Sequence, residues 1–441
     1  MVKNKKKPGL ISNSSLILIS FAVTFFPRII DAAGAPAAIN FAHFAVLPIC
    51  CIIVIATTPV RNRQQINLVQ LILFGLLVFL AEMMASALLN GAGFINVILA
   101  FLLLAEPFLF LLTLICIPIL SPEKLEKFKL WIVSFAAIHI GLAFCQKILL
   151  TLGILKRTDM TEADNVQGVF YLSGGGHVVA ASVSLSFGLY FWLTFKKAPL
   201  WLRIAFLSAG FTHVIFADAK QVLVVWFMAW FLLIAFKLNN IKTTINYLCL
   251  AAIAALALFW CIENVEAFRA FKTWIRPGYY GPDGLATQLK ISGIKIIASY
   301  YETPLHWLLG LGPGHTVGRL GGWILSKYGS LFAPLGATTH PVSNEVFDYW
   351  RSTWLDSSFF SPLFGWAGIW GNFGFLGLGI YSYLCYLVWH KLCVDDFSKF
   401  MMLTVMIHGF IFTQMEEPGY MLSIACLIGL RWQDSQYQKV E

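Results

Sequence analysis

Seven ionisable side chains stand out by where they fall: Lys220, Arg276, Lys290, His315, Arg319, His340 and Glu417. Each lies at the edge of an apolar run or inside the one long polar stretch, 263–360, where charge, His, Gly and Trp return together. Lys220 adjoins Asp218 between two short apolar runs. A charge in such a place is costly: it is a functional suspect, or else a local ion pair or a snorkelling lysine. Glu417 belongs to Glu416-Glu417-Pro418-Gly419, a turn whose adjacent carboxylates suit metal binding, proton abstraction or simple solvation. The run Leu309-Gly310-Leu311-Gly312-Pro313-Gly314-His315 is either a turn or a nest of successive N–H groups that holds an anion. His315 and Arg319 are four apart and share a face if a helix starts there. His340, Asn344, Glu345, Asp348, Arg351 and then Ser357-Ser358 complete the stretch.

The elements that position these groups are membrane helices. Of 441 residues, 59% are hydrophobic and 12% charged, about half the charge of a soluble domain. So much apolar surface needs spans of about 20 residues rather than one water-soluble core. The chain reads as an all-α polytopic membrane protein with about twelve transmembrane helices. They fall at 9–30, 37–59, 67–89, 95–119, 130–152, 168–194, 199–217, 219–237, 244–262, 361–389, 397–414 and 418–432. Three regions follow: helices 1–9 over 1–262, one large outer loop over 263–360, and helices 10–12 with a short tail over 361–441. Spans seven and eight are short and nearly fused at Asp218-Ala219-Lys220, which fits two tilted helices or one bent one.

Net charge is +9, but the basic residues sit in short loops, so they orient the protein rather than bind nucleic acid. Lys3, Lys5, Lys6, Lys7, Arg61, Arg63, Lys124, Lys127, Lys129, Lys196, Lys197, Lys237, Lys242, Lys391 and Arg431 alternate with uncharged loops; Lys156 and Arg157 break the pattern. Both termini are then expected in the cytoplasm and 263–360 outside. The first apolar run, before Ala33-Gly34-Ala35, also resembles a secretory signal peptide with its cleavage site. The nine cysteines lie in or beside apolar spans, so no disulfide framework is expected in the polar stretch.

Within that stretch Arg269, Lys272 and Arg276 precede a turn-rich run, and Leu285–Tyr300 has the pattern of a surface helix carrying Lys290 and Lys295. The span after it is punctuated by Gly365, Gly368, Gly371, Gly374, Gly377 and Gly379, a spacing for close helix packing. His213 in a span reads as a hydrogen-bonded histidine, and Glu106-Pro107 as a kink or packing feature.

This pattern resembles the bacterial O-antigen polymerase and O-antigen ligase superfamily of membrane glycosyltransferases. The resemblance rests on the order of three features: Phe216-Ala217-Asp218-Ala219-Lys220 as a short polar junction, Leu309–Gly314 as a Gly-x-Gly element, and Ser357-Ser358 before Gly368-Ile369-Trp370-Gly371 as the loop exit. It implies a polyprenyl-diphosphate-linked glycan as donor, a sugar hydroxyl as acceptor, no metal or other cofactor, and the outer face of the bacterial inner membrane. Lys220 takes the junction position where relatives more often have Arg, and Lys290 that of a basic residue upstream of the Gly-x-Gly element. Ligases carry a His near the loop exit. Here Ser357-Ser358 stands there, which favours polymerase over ligase.

On that reading the leaving diphosphate gains negative charge as the glycosidic bond breaks, and fixed cations in a low-dielectric site stabilise it. Lys220, Arg276, Lys290 and Arg319 are the candidate cations; His315, His340 or Glu417 would take the acceptor proton. Membrane lipid and envelope polysaccharide assembly proteins are the implied partners. A lipid-linked oligosaccharide flippase or transporter is the alternative, since twelve spans suit it, and an assembly scaffold is a third reading. Metal-dependent oligosaccharyltransferases need acidic pairs in the first outer loop, which here has only Asp31.

Overall fold

The computed structural model describes residues 12–58, 63–117, 122–155, 161–171, 175–237, 241–268, 270–274, 276–355 and 357–438. Lys3, Lys5, Lys6, Lys7, Arg61, Lys156, Arg157 and Arg269 lie outside them. Among the described residues the chain is helical, with no strand.

Twelve helices fall one in each expected segment. They are α1 (Asn13–Phe25), α2 (His43–Thr57), α3 (Arg63–Asn90), α4 (Phe94–Cys116), α5 (Pro122–Thr151), α6 (Gly176–Thr194), α7 (Leu200–Phe216), α8 (Lys220–Ala235) and α9 (Ile241–Asn264), then α13 (Gly365–Lys391), α14 (Asp396–Ile411) and α15 (Pro418–Gln438). Between them, among the described residues, the polar stretch forms α10 (Leu285–Ser299), α11 (Pro304–Leu309) and α12 (Pro341–Arg351), besides helical pieces of five residues or fewer. Seven helices among the described residues are long and apolar enough to cross a membrane, the mark of a multi-pass membrane protein. The junction at 217–219 resolves into two helices, because Asp218 adopts a left-handed φ of 49° that no helix interior accepts.

The two ends of the bundle differ in what they join. At one end Lys237 meets Asp396 at 2.7 Å, Arg431 meets Asp395 at 2.5 Å and Lys129 meets Asp434 at 2.6 Å. Asp395 also caps α14 by accepting from the Ser398 N–H. The opposite ends of α8, α14 and α15 all touch the polar stretch: Ser358 bonds Gln221, Lys290 bonds the Ile411 carbonyl and Arg319 pairs with Glu417. The 263–360 stretch is therefore gathered at the end away from those basic loops.

Span six differs from expectation. It begins at Gly176 rather than at 168, and 161–171 is irregular chain with two single 3-10 turns, Ala163–Asn165 and Gly168–Phe170. Much of this segment is buried, so its peptide groups need partners from the neighbouring helices. Gln146 of α5 accepts the N–H groups of Gln167 and Gly168 and donates to the Gly168 carbonyl. His139 accepts from the Val169 N–H, and its other nitrogen donates to the Ala180 carbonyl. His213 sits between the Ser184 hydroxyl and the Val166 carbonyl. The hydrogen-bonded histidine expected in span seven thus helps to pin an irregular segment in place.

The glycine-spaced helix α13 packs on the polar stretch. A Cβ on Gly368 would lie 2.7 Å from the Gly318 Cα, and one on Gly374 would lie 2.3 Å from the Leu308 carbonyl carbon. Gly374 also has φ +60°, which breaks the helix and opens the carbonyls of Gly371 and Asn372 to the loop before it. The small residues allow close approach, as expected, and what approaches is backbone of the polar stretch.

Candidate functional site

A cavity of about 780 Å³ lies where the polar stretch meets the ends of α6, α8 and α14. Its charged lining is Lys220, Arg351, Asp164 and Asp218, with His177 beside them. Hydroxyls come from Thr161, Ser357 and Ser358, and rings from Trp274, Trp323, Phe347, Trp350, Phe359 and Phe412.

Each part has a structural origin. Residues 219–221 are the first turn of α8, and 175–178 that of α6, so two helix N-termini open on the same space. The positive ends of their dipoles favour an anion there. Lys220 is buried, and its ammonium contacts the Asp218 carboxylate. The aromatic rings touch in two groups. Trp274 stacks on Phe359 at 4.3 Å, and Trp323 contacts Phe347, Trp350 and Phe412 at 5.5–6.4 Å. The Trp350 indole N–H bonds the Leu355 carbonyl, whereas the buried Trp323 indole N–H has no partner among the described residues. Arg351 lies over the Phe347 ring at 4.6 Å. The cavity therefore holds two cations, two carboxylates, two helix N-termini, apolar faces and hydroxyl and indole donors, a mixture that suits a ligand with both charged and hydroxylated parts.

Of the seven side chains singled out from the sequence, Lys220 lines this cavity and the others do not. Arg276 is exposed, 6.0 Å from the Tyr279 ring centre. Lys290 lies behind the wall, and its amine donates to the carbonyls of Phe359 (3.3 Å), Ser361 (2.7 Å) and Ile411 (2.5 Å). Burial pushes its ammonium down to about 7. The lysine thereby ties the loop exit, including the cavity residue Phe359, to the end of α14.

His315 and Arg319 do not share a helix face, because 311–318 is turn and bend. His315 Nδ1 donates to the Leu311 carbonyl at 2.9 Å, and Nε2 accepts from the Thr338 hydroxyl at 2.9 Å. Burial holds its ring down to about 4, and so neutral at pH 7. His340 caps α12 by accepting from the Val342 N–H and stacks on His315 at 5.5 Å. Arg319 is buried against Glu417, and its own N–H donates to Glu416 at 2.7 Å. The Glu416-Glu417 turn is thus 5% and 4% exposed, not solvated. Burial pushes the Glu416 carboxyl up to about 7, against the pull of the Arg319 N–H and guanidinium.

The Gly-x-Gly element spends its N–H groups inside the protein. Leu311 and Gly312 donate to the carbonyls of Gly371 and Asn372, and Thr316 to the Asn372 side chain. It is a turn that clamps the loop to the broken helix α13.

Sequence reasoning missed Asp164 and His177, and it placed Arg351 in the loop without a role. Asp164 and His177 are ordinary polar residues in the chain. The available signal was Gly174-Gly175-Gly176-His177 at the head of an apolar run, next to a polar Thr161–Gln167. No known protein-family model matches the chain, and no curated protein is similar to it.

Proposed function

We propose that the chain is a membrane glycosyltransferase of polymerase type. It spans the bacterial inner membrane twelve times, with both termini in the cytoplasm and 263–360 outside. There it transfers a glycan from a polyprenyl-diphosphate donor to the hydroxyl of an acceptor sugar. The observation that carries this reading is the cavity: one space of about 780 Å³ joins Lys220 and Arg351 to six aromatic rings. A diphosphate needs fixed cations and N–H groups, and the apolar faces of sugar rings lie well against indole and phenyl rings. The candidate cations narrow to Lys220, with Arg351 added. Arg276, Lys290 and Arg319 are left to surface and packing roles, as are His315, His340 and Glu417.

The test is Lys220→Ala and Arg351→Ala in the native cell, followed by polymer length and by the location of lipid-linked single units. Loss of polymer with units accumulating on the outer face is expected. Units trapped on the inner face would make the chain a flippase, and unchanged polymer would end the proposal.

A further inference from the structure

The proposed transfer needs a group to take the acceptor proton, and the cavity holds one that its cations do not use. His177 opens α6 and lines the cavity. Its Nε2 is 3.4 Å from Asp164 Oδ1. The other carboxylate oxygen, Oδ2, is held by the Thr161 hydroxyl at 2.7 Å and the Thr161 N–H at 3.2 Å. Asp164 is thus pinned with one oxygen turned to the ring. A carboxylate on that side fixes Nε2 as the protonated nitrogen and leaves Nδ1 as the basic one. Nδ1 is buried and has no partner among the described residues. The 3.4 Å separation is longer than a formed hydrogen bond, as catalytic contacts often are before substrate binds.

The support beneath this pair is unusual for a loop. Asp164 sits on the segment that Gln146 and His139 of α5 and His213 of α7 pin in place. Polar side chains inside apolar helices are expensive and are kept where irregular backbone must be held. They hold the one segment that presents Asp164 to His177.

We propose that His177 is the general base for the acceptor hydroxyl, with Asp164 as its positioning residue; this rests on the glycosyltransferase reading above. The acceptor O–H bond breaks and its proton passes to His177 Nδ1. The oxygen's electron pair forms the new bond to the anomeric carbon, whose bond to the phosphate oxygen breaks. The polyprenyl diphosphate leaves with that pair, its added charge facing Lys220 and Arg351.

Two measurements separate this proposal from the reading it rests on. One is binding of farnesyl diphosphate to purified full-length protein. The other is polymer formation in native membranes that carry their own lipid-linked saccharide. His177→Ala should bind farnesyl diphosphate as the unaltered protein does, yet lose polymer formation by at least about a hundredfold. Added imidazole, which fits the cavity, should restore part of it. Lys220→Ala should lose both. Full polymer formation in His177→Ala beside a dead Lys220→Ala overturns the base and leaves the glycosyltransferase. Loss of farnesyl diphosphate binding in His177→Ala also overturns it, placing the ring with the donor site. If Lys220→Ala polymerises normally, the underlying reading fails and the base with it. Should His177→Ala not fold, Asp164→Asn decides: kcat falls about tenfold at unchanged KM for the lipid-linked saccharide, and Asp164→Glu restores part of it. Equal kcat in Asp164→Asn would sink the assignment.

Discussion

Arg319 and Glu417 form an ion pair with side chains only 6% and 5% exposed, and the same arginine's backbone N–H is taken by Glu416 at 2.7 Å. One residue of the polar stretch is thereby locked to the turn between α14 and α15 through both its charge and its peptide group. Removing one partner strands the other charge in low dielectric, at a cost of about 3–5 kcal/mol, whereas two apolar replacements of similar volume are close to neutral. Arg319→Met and Glu417→Met should each lower the thermal midpoint in detergent more than the double variant does. A double variant that melts at the sum of the two losses would show that the residues act separately.

Glu416 gives the protein a pH dependence of definite sign. Its carboxyl, ordinarily at 4.5, titrates at about 7 when folded, chiefly through burial. Between those values the folded protein holds a proton that the unfolded chain has released. The group's stabilising contribution is complete below about 4.5 and is lost as pH rises through 7. Its full span is up to about 3 kcal/mol. Melting curves from pH 5 to 8 should fall with pH in the unaltered protein and flatten in Glu416→Gln. A steeper fall in the variant would reverse the assignment.

The glycine ridge makes an internal comparison possible. Gly310 has φ +71° and Gly374 φ +60°, and a Cβ on either would lie 2.3 Å from a backbone carbon. Gly379, on the same helix as Gly374, has nothing within 4 Å. Gly310→Ala and Gly374→Ala should yield little folded protein, through both strain and overlap. Gly379→Ala should be neutral or stabilising by up to about 1 kcal/mol. Fluorescence-detected gel filtration of the three variants reads the difference, and equal yields would contradict the clamp.

Lys290 distinguishes packing from ligand binding. Its amine serves three carbonyls on two segments. In Lys290→Met those acceptors lose their donor, and hydrogen exchange should speed up across 357–363 and at the end of α14. A lysine that held only a diphosphate would leave exchange unchanged in the ligand-free protein and weaken farnesyl diphosphate binding instead.

Hydropathy alone located the helical segments, because a chain that is 59% hydrophobic has few ways to satisfy its peptide groups in lipid. It also marked 263–360 as the polar stretch, Leu285–Tyr300 as a helix and the Asp218-Lys220 junction as a place of interest. It did not say which cations share a space. Lys220, Lys290 and Arg319 look alike in the chain, and only packing turned one to a cavity, one to three carbonyls and one to a glutamate. Nor could spacing reveal Asp164 beside His177, since they meet through an irregular segment whose last residues, 168–171, read as the start of span six. Apolar periodicity reports what faces lipid, a property of each segment by itself; which polar groups converge depends on contacts between segments, and those exist only once the helices have packed.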